Sequence, residues 1–213
     1  MGLELYNPYV YRILIAVRKT DSIHALANRI SLSYGWTYKW VHALMKKGVF
    51  KAEKMKIQRQ DTNQLYQKMM RGVKEMSRDS VEFYYEAIGL FGISYCFTAT
   101  DAVFVWTKGA YNIGRYRDYY PVFVKVVKKD KKVFEEYCKK CGLAINKTKG
   151  IFYDVEYVDS IVSVQSENIP VDVLDETIAF MKKNYYHFEP ALEIIGEMYG
   201  NEAVKYKEVV TNV

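Results

Sequence analysis

The sequence is poor in cysteine, lacks a long apolar run and has few acidic residues near its start. Its three cysteines, Cys96, Cys138 and Cys141, are too few, and odd in number, for a disulfide framework. No apolar stretch reaches the roughly 20 residues that a membrane-spanning helix needs, and no basic-then-apolar start predicts secretion. We therefore expect a soluble cytoplasmic protein with no membrane partner.

The composition predicts a packed globular protein with a basic N-terminal part. Hydrophobic residues make up 50% of the 213 residues and charged residues 26%, which argues against wholesale disorder and fits one or two domains. Residues 1–60 contain 11 Lys and Arg against 3 Asp and Glu, a net charge of +8, whereas the remaining residues carry 20 against 22. A basic head on a near-neutral body is typical of proteins that bind nucleic acid, although a solvated basic face is the alternative.

The stretch Ser33–Gly48, SYGWTYKWVHALMKKG, has the spacing of an amphipathic helix. Apolar groups at Thr37, Trp40, Val41 and Leu44 recur three or four residues apart, which places them on one buried face. Gly48 is expected to end the helix, because glycine accepts the left-handed turn that follows many helices. The opposite face carries aromatic and basic side chains and no acidic one, namely Tyr34, Trp36, Tyr38, Lys39, His42 and Lys46.

The flanking segments predict a helix-turn-helix that is followed by a small basic wing. One helix starts at Asn7-Pro8 and a second is capped by Asp21 or Ser22, before the short turn at residues 31–33. Two short strands are predicted after Gly48. The order resembles the winged helix-turn-helix family at Leu26, Ala27, Ile30, Leu32, Ser33, Val41, Leu44, Lys47, Gly48 and Val49. The resemblance implies that the cations of these strands contact the sugar-phosphate backbone or the minor groove of DNA.

We therefore predict that residues 1–60 form a domain that binds double-stranded DNA. The exposed N-terminal turns of a recognition helix reach base edges in the major groove, while cations further along contact phosphate. Because palindromic sites suit two-fold symmetry, a homodimer is expected. Winged helices also serve as protein-protein modules, which leaves a second function open. The predicted DNA-binding residues are Ser33, Tyr34, Trp36, Tyr38, Lys39, His42, Lys46, Lys51, Lys54, Lys56 and Arg59.

The rest of the chain predicts a connecting helix over 61–80 and a mixed α+β domain over 81–213. The fold class is thus α+β, an N-terminal winged helix-turn-helix before a mostly antiparallel sheet and C-terminal helices. Predicted strands cover 94–97, 102–107, 122–127, 151–158 and 160–164. Predicted helices cover 81–90, 131–140, 173–183, 189–198 and 202–209.

Three segments of this second part resemble the AbiE-type antitoxins and related predicted regulators of viral defence. They are Glu86–Leu90, Tyr120–Val124 and Ile169–Ile178. Members of that family often carry a Ser-Ala-Leu-like segment where this chain has residues 86–88. The resemblance implies an autorepressor that also counters a nucleotidyltransferase-like toxin. The alternative function is that of a protein-interaction module, which neutralises the toxin without binding DNA.

Other candidate sites have weaker signals, so we expect no catalytic residue, cofactor or metal. The pair Cys138 and Cys141 lacks the further ligands of a structural zinc site. Asp154 and Glu156 lie two apart, as in the metal-binding pair of nucleotidyltransferases, but the Gly-Ser turn that such enzymes place upstream is missing. A nucleotidyltransferase-like enzyme is therefore the third hypothesis. A strand face exposed to solvent explains the same two carboxylates.

Overall fold

The computed structural model describes residues 7–116 and 118–200, and it confirms the mixed α+β class. Within these residues the helices are α1 (Pro8–Ala16), α2 (Ile23–Arg29), α3 (Tyr34–Lys46), α4 (Gln64–Asp79), α5 (Val81–Ile88), α6 (Ala99–Trp106), α7 (Lys131–Cys141), α8 (Leu174–Lys183) and α9 (Tyr185–Tyr199). The strands are β1 (Thr20–Asp21), β2 (Phe50–Glu53), β3 (Lys56–Arg59), β4 (Tyr95–Phe97), β5 (Tyr119–Val127), β6 (Gly150–Val158), β7 (Ser163–Ser166) and β8 (Ile169–Asp172).

Short polar side chains begin the first three helices, as the sequence predicts. Asn7 accepts a hydrogen bond from the backbone N–H of Tyr9, and Ser22 accepts one from Ala25. Each cap satisfies a backbone donor that the first turn of a helix leaves without a partner. Asp21, the alternative cap for α2, instead lies buried in an ion pair with Arg29 at 2.6 Å.

The N-terminal helices pack beside a three-stranded antiparallel sheet in the order β1-β3-β2. The β2–β3 hairpin pairs Phe50 with Arg59 at its base and Glu53 with Lys56 at its tip. The two-residue strand β1, which the sequence analysis did not predict, pairs Thr20 with Gln58. Such a short strand has no periodicity of its own, and the pairing depends on a partner almost 40 residues away.

One cluster of buried apolar side chains runs from α1 and α3 through α4 and α7 to β5 and β6. The end of α1 is also joined to α7 by hydrogen bonds. Tyr137 donates its hydroxyl to the carbonyl of Ala16, and Lys140 donates to that of Val17 at 2.8 Å. The N-terminal elements therefore share a core with the body, while the domain boundary at residues 60–80 stays a prediction.

The second sheet is mixed, with strand order β6-β5-β4-β8-β7. The pairs β4–β5 and β7–β8 are antiparallel, whereas β5–β6 and β4–β8 are parallel. The sequence predicts a mostly antiparallel sheet here. The pair β5–β6 is parallel because α7 connects the two strands, and a crossover helix returns the chain to the same end of the sheet.

Other predicted elements of the body need correction. The predicted strand at 102–107 is part of α6, because a short apolar run fits a buried helix as well as a strand. Residues 169–172, for which no strand is predicted, form β8, and residues 185–187, which lie between two predicted helices, belong to α9. The helix predicted at 202–209 lies outside the described residues. Among those that are described, no helix is long and apolar enough to cross a membrane.

Candidate nucleic-acid interface

The helix α3 has the boundaries and the buried face that its sequence predicts. The Ser33 side chain accepts a hydrogen bond from the backbone N–H of Trp36 at 3.3 Å. Gly48 follows the helix with a φ of +70°, a conformation that costs glycine little. The buried side chains are the predicted ones, Thr37, Trp40, Val41 and Leu44. Their burial fixes the rotation of α3 and hence the face that it presents to solvent.

Aromatic rings follow one another along the exposed face of α3, each tilted against the next. Tyr34, Trp36 and Tyr38 are 52%, 50% and 43% exposed. The rings of Tyr34 and Tyr38 lie 5.9 Å apart, and those of Tyr38 and His42 lie 4.2 Å apart. Because these residues are four positions apart, each ring contacts the ring on the neighbouring turn of the helix. This contact restricts the side-chain rotamers before any ligand is bound.

Lys39, also on the exposed face, extends between the indole rings of Trp36 and Trp40. Its ammonium group is 5.0 Å from the ring centre of Trp36 and 5.5 Å from that of Trp40. Trp40 is 8% exposed, as its predicted place in the core requires, whereas half of Trp36 faces solvent. Cation–π attraction therefore holds the positive charge over the helix surface, close to His42 and Lys46 on the helical wheel.

The β2–β3 hairpin adds three exposed cations, Lys51, Lys54 and Lys56. Its turn lacks glycine and asparagine, and Lys54 itself takes the left-handed conformation with a φ of +55°. Met55 at the tip is 93% exposed. No ion pair within the described part of the chain involves any of the three lysines.

Arg59, the last predicted contact, is held by the protein itself. Its guanidinium pairs with Asp61 at 2.6 Å and donates to the carbonyl of Val17 at 3.1 Å. It also lies over the Tyr66 ring, 5.5 Å from the ring centre. Burial lowers the pKa of Arg59, but the hydrogen bond and charge of Asp61 outweigh that effect and raise it. These contacts tie the end of β3 to α1, so a phosphate would have to compete with Asp61.

The weaker candidate sites remain apart from this surface. Cys138 and Cys141 are buried free thiols, and burial raises the pKa of Cys141 to about 11. Asp154 and Glu156 are exposed on one face of β6. In the part of the chain that the structure describes, no three His, Cys, Asp or Glu side chains are grouped as metal ligands.

The body contains two buried polar networks that are not predicted from the sequence. Asp101 on α6 pairs with Arg115 at 3.0 Å and accepts hydrogen bonds from the Tyr85 hydroxyl and the Phe123 backbone N–H. Arg115 thus anchors the segment between α6 and β5. A signal was present, since an aspartate inside an otherwise apolar segment needs buried donors.

The second network surrounds Asp172 at the end of β8. Lys125 donates to Asp172 at 3.0 Å and to Glu176 at 2.8 Å, and the Cys96 thiol donates to Asp172 at 3.2 Å. Asp172 does not cap α8, whose N-cap is Val173. In both networks the charges have partners within the sheet and the helices beside it.

Comparisons of this chain with protein-family models, with curated proteins and with solved structures found no match.

Proposed function

We propose that the protein is a sequence-specific DNA-binding regulator whose residues 7–60 act as a winged helix-turn-helix. The observation that carries the proposal is the exposed face of α3, which is aromatic and cationic and contains no acidic side chain. The element order α1-β1-α2-α3-β2-β3, with an antiparallel sheet beside the helices, supports the same interpretation. In this arrangement α3 enters the major groove and the hairpin follows the backbone.

The positions of the side chains divide the contacts between bases and phosphates. Lys39 and His42 lie near the middle of the exposed face, where a helix in the major groove meets base edges. Gly35 lies on the same side, and the space that a Cβ would occupy there is open, which lets DNA approach the first turn closely. Lys46 at the end of α3 and the hairpin lysines are placed for phosphate.

We further propose that two copies bind a palindromic site, and that the protein is an autorepressor and an antitoxin. The antitoxin role rests on the resemblance of residues 86–90, 120–124 and 169–178 to the AbiE-type family. A partner protein is the second candidate for the α3 surface, because three half-exposed aromatic rings also suit a protein interface. In that case the surface would neutralise a nucleotidyltransferase-like toxin without binding DNA.

Selection of bound duplexes from a random pool tests the proposal. We expect the full-length protein to enrich one sequence, and Lys39→Ala to reduce its preference over a scrambled duplex by about tenfold, within the roughly 1–3 kcal/mol of a base contact. Lys182→Ala, an exposed lysine on α8, is the matched control and should keep the preference. The proposal fails if no sequence is enriched, or if the two variants behave alike.

A further inference from the structure

A large basic cleft lies between the N-terminal elements and the body, away from the exposed face of α3. Its volume is about 1230 Å³. One wall is the segment 17–20 with the end of β3, the second is α4 from Tyr66 to Lys74, and the third is α7. Among the described residues that line it, none belongs to α3 or to the turn of the β2–β3 hairpin.

The cleft gathers positive charge without matching negative charge. Its lining has seven basic side chains and two acidic ones, and one of the acids, Asp61, is already paired with Arg59. In the described part of the chain, the six remaining cations form no ion pair. They are Arg18, Lys19, Arg71, Lys74, Lys139 and Lys140.

Packing brings these cations together from distant parts of the sequence. Lys74 on α4 lies against the end of α7, since a Cβ on Gly142 would be 3.1 Å from Lys74 Cγ. Lys140 extends over the ring of Tyr137, 4.4 Å from the ring centre, and donates to the carbonyl of Val17. Lys140 is only partly exposed, which distinguishes it from an ordinary solvated surface lysine. Like charges that converge in this way repel one another until an anion is bound.

The lining and the size of the cleft indicate the kind of anion. The buried side chains Val17 and Met70 and the rings of Tyr66 and Tyr137 add apolar surface to the lining. Ligand pockets of roughly 300–1,000 Å³ hold small organic molecules, so this cleft has room for one. Lysine and arginine together form charge-assisted hydrogen bonds to phosphate oxygens, and the five exposed ones match a ligand with several negative charges, with Lys140 as a further hydrogen-bond donor.

We propose that this cleft binds a small molecule that carries two or more phosphate groups. The site does not depend on the proposed DNA contacts, because the two sets of side chains share no member apart from Arg59. The cleft joins the end of α1 and β3 to α4 and α7, so a ligand that contacts both sides fixes how the N-terminal elements meet the body.

Isothermal titration calorimetry on the full chain, in about 150 mM salt to screen exposed charges, tests this proposal. The probes are tripolyphosphate, ATP and inorganic phosphate, all without metal ions. We expect the first two to bind with dissociation constants at least tenfold below that of inorganic phosphate. If ATP binds more tightly than tripolyphosphate, the apolar residues of the lining also hold the nucleoside. If the two affinities are equal, the cleft holds the phosphates alone. Both outcomes support the proposal.

Variants of single basic residues locate the binding. Arg71→Glu, at an exposed position on α4, should weaken tripolyphosphate binding at least tenfold. Lys140→Met should also weaken it, while its circular dichroism spectrum stays that of the wild type. Lys54→Glu on the hairpin and Lys182→Glu on α8 should bind tripolyphosphate as the wild type does. The proposal is overturned if tripolyphosphate does not bind, or if Lys54→Glu or Lys182→Glu weakens its binding as much as Arg71→Glu does.

Discussion

Removal of one lysine from the β2–β3 hairpin should change how DNA binding depends on salt. Apart from Lys39, which we assign to a base, the proposed interface has four exposed lysines for phosphate, Lys46, Lys51, Lys54 and Lys56. If each neutralises one phosphate, the slope of log K against log salt is about −3.6 for one protomer, since each contact contributes about −0.9. The affinity of one protomer for any duplex would then fall by about 150-fold between roughly 50 and 200 mM salt.

Lys54→Ala should reduce the slope to about −2.7 for one protomer and the affinity at roughly 150 mM salt by about fivefold. The loss should be the same for the enriched sequence and for a scrambled one, because a phosphate contact has no base preference. Fluorescence anisotropy with both labelled duplexes, over a series of salt concentrations, measures both quantities. Lys182→Ala is the control for a loss of one positive charge far from the interface.

Two outcomes would refute this reasoning. An unchanged slope in Lys54→Ala would mean that the hairpin does not lie along the DNA backbone. A wild-type slope near −7 for each protomer, the value for about eight neutralised phosphates, would mean that DNA also contacts cations of residues 1–60 outside this set, including those of the cleft.

Two predictions concern the stability of the fold. Asp101→Ala should lower the free energy of unfolding by about 3–5 kcal/mol, because it leaves the buried guanidinium of Arg115 without its carboxylate; urea unfolding should show a lower midpoint, and an unchanged midpoint would contradict the buried pair. Burial lowers the pKa of Lys140 to about 7, against about 10.4 in an unfolded chain. Between these values the unfolded chain binds one proton more, so the stability of the wild type relative to Lys140→Met should rise from pH 7 to pH 9. A constant difference in unfolding midpoints over that range would show that Lys140 is fully charged in the folded protein.

The N-terminal helices were predictable because their signals are local. Asn7, Ser22 and Ser33 lie where the helices begin, and the periodicity of α3 separates its buried and exposed faces within 13 residues. The turn of the hairpin was less clear, since Lys54 adopts a backbone conformation that glycine or asparagine normally marks. What the sequence predicts well is therefore the surface of α3, whose neighbours in space are also its neighbours along the chain.

The body was harder to predict because its elements depend on distant partners. Residues of α6 have the apolar character of a strand, and they are helical because Asp101 and the side chains beside it pack on β5 and β8. Likewise, β8 is a strand since it fills the place between β4 and β7. Neither pairing has a local signal, so periodicity alone predicts a strand wrongly at 102–107 and predicts no strand at 169–172.

The basic charge of residues 1–60 divides into groups that the sequence count cannot separate. Arg29 is paired with Asp21 and Arg59 with Asp61, so these two arginines stabilise the fold. Arg18 and Lys19 line the cleft with cations of α4 and α7, which come from outside the first 60 residues. The lysines of α3 and the hairpin remain for DNA. A net charge of +8 therefore overstates the proposed DNA interface and hides a second basic site, whose other half lies in the near-neutral body. Because the groups lie on separate surfaces, single substitutions can remove one function and leave the other intact.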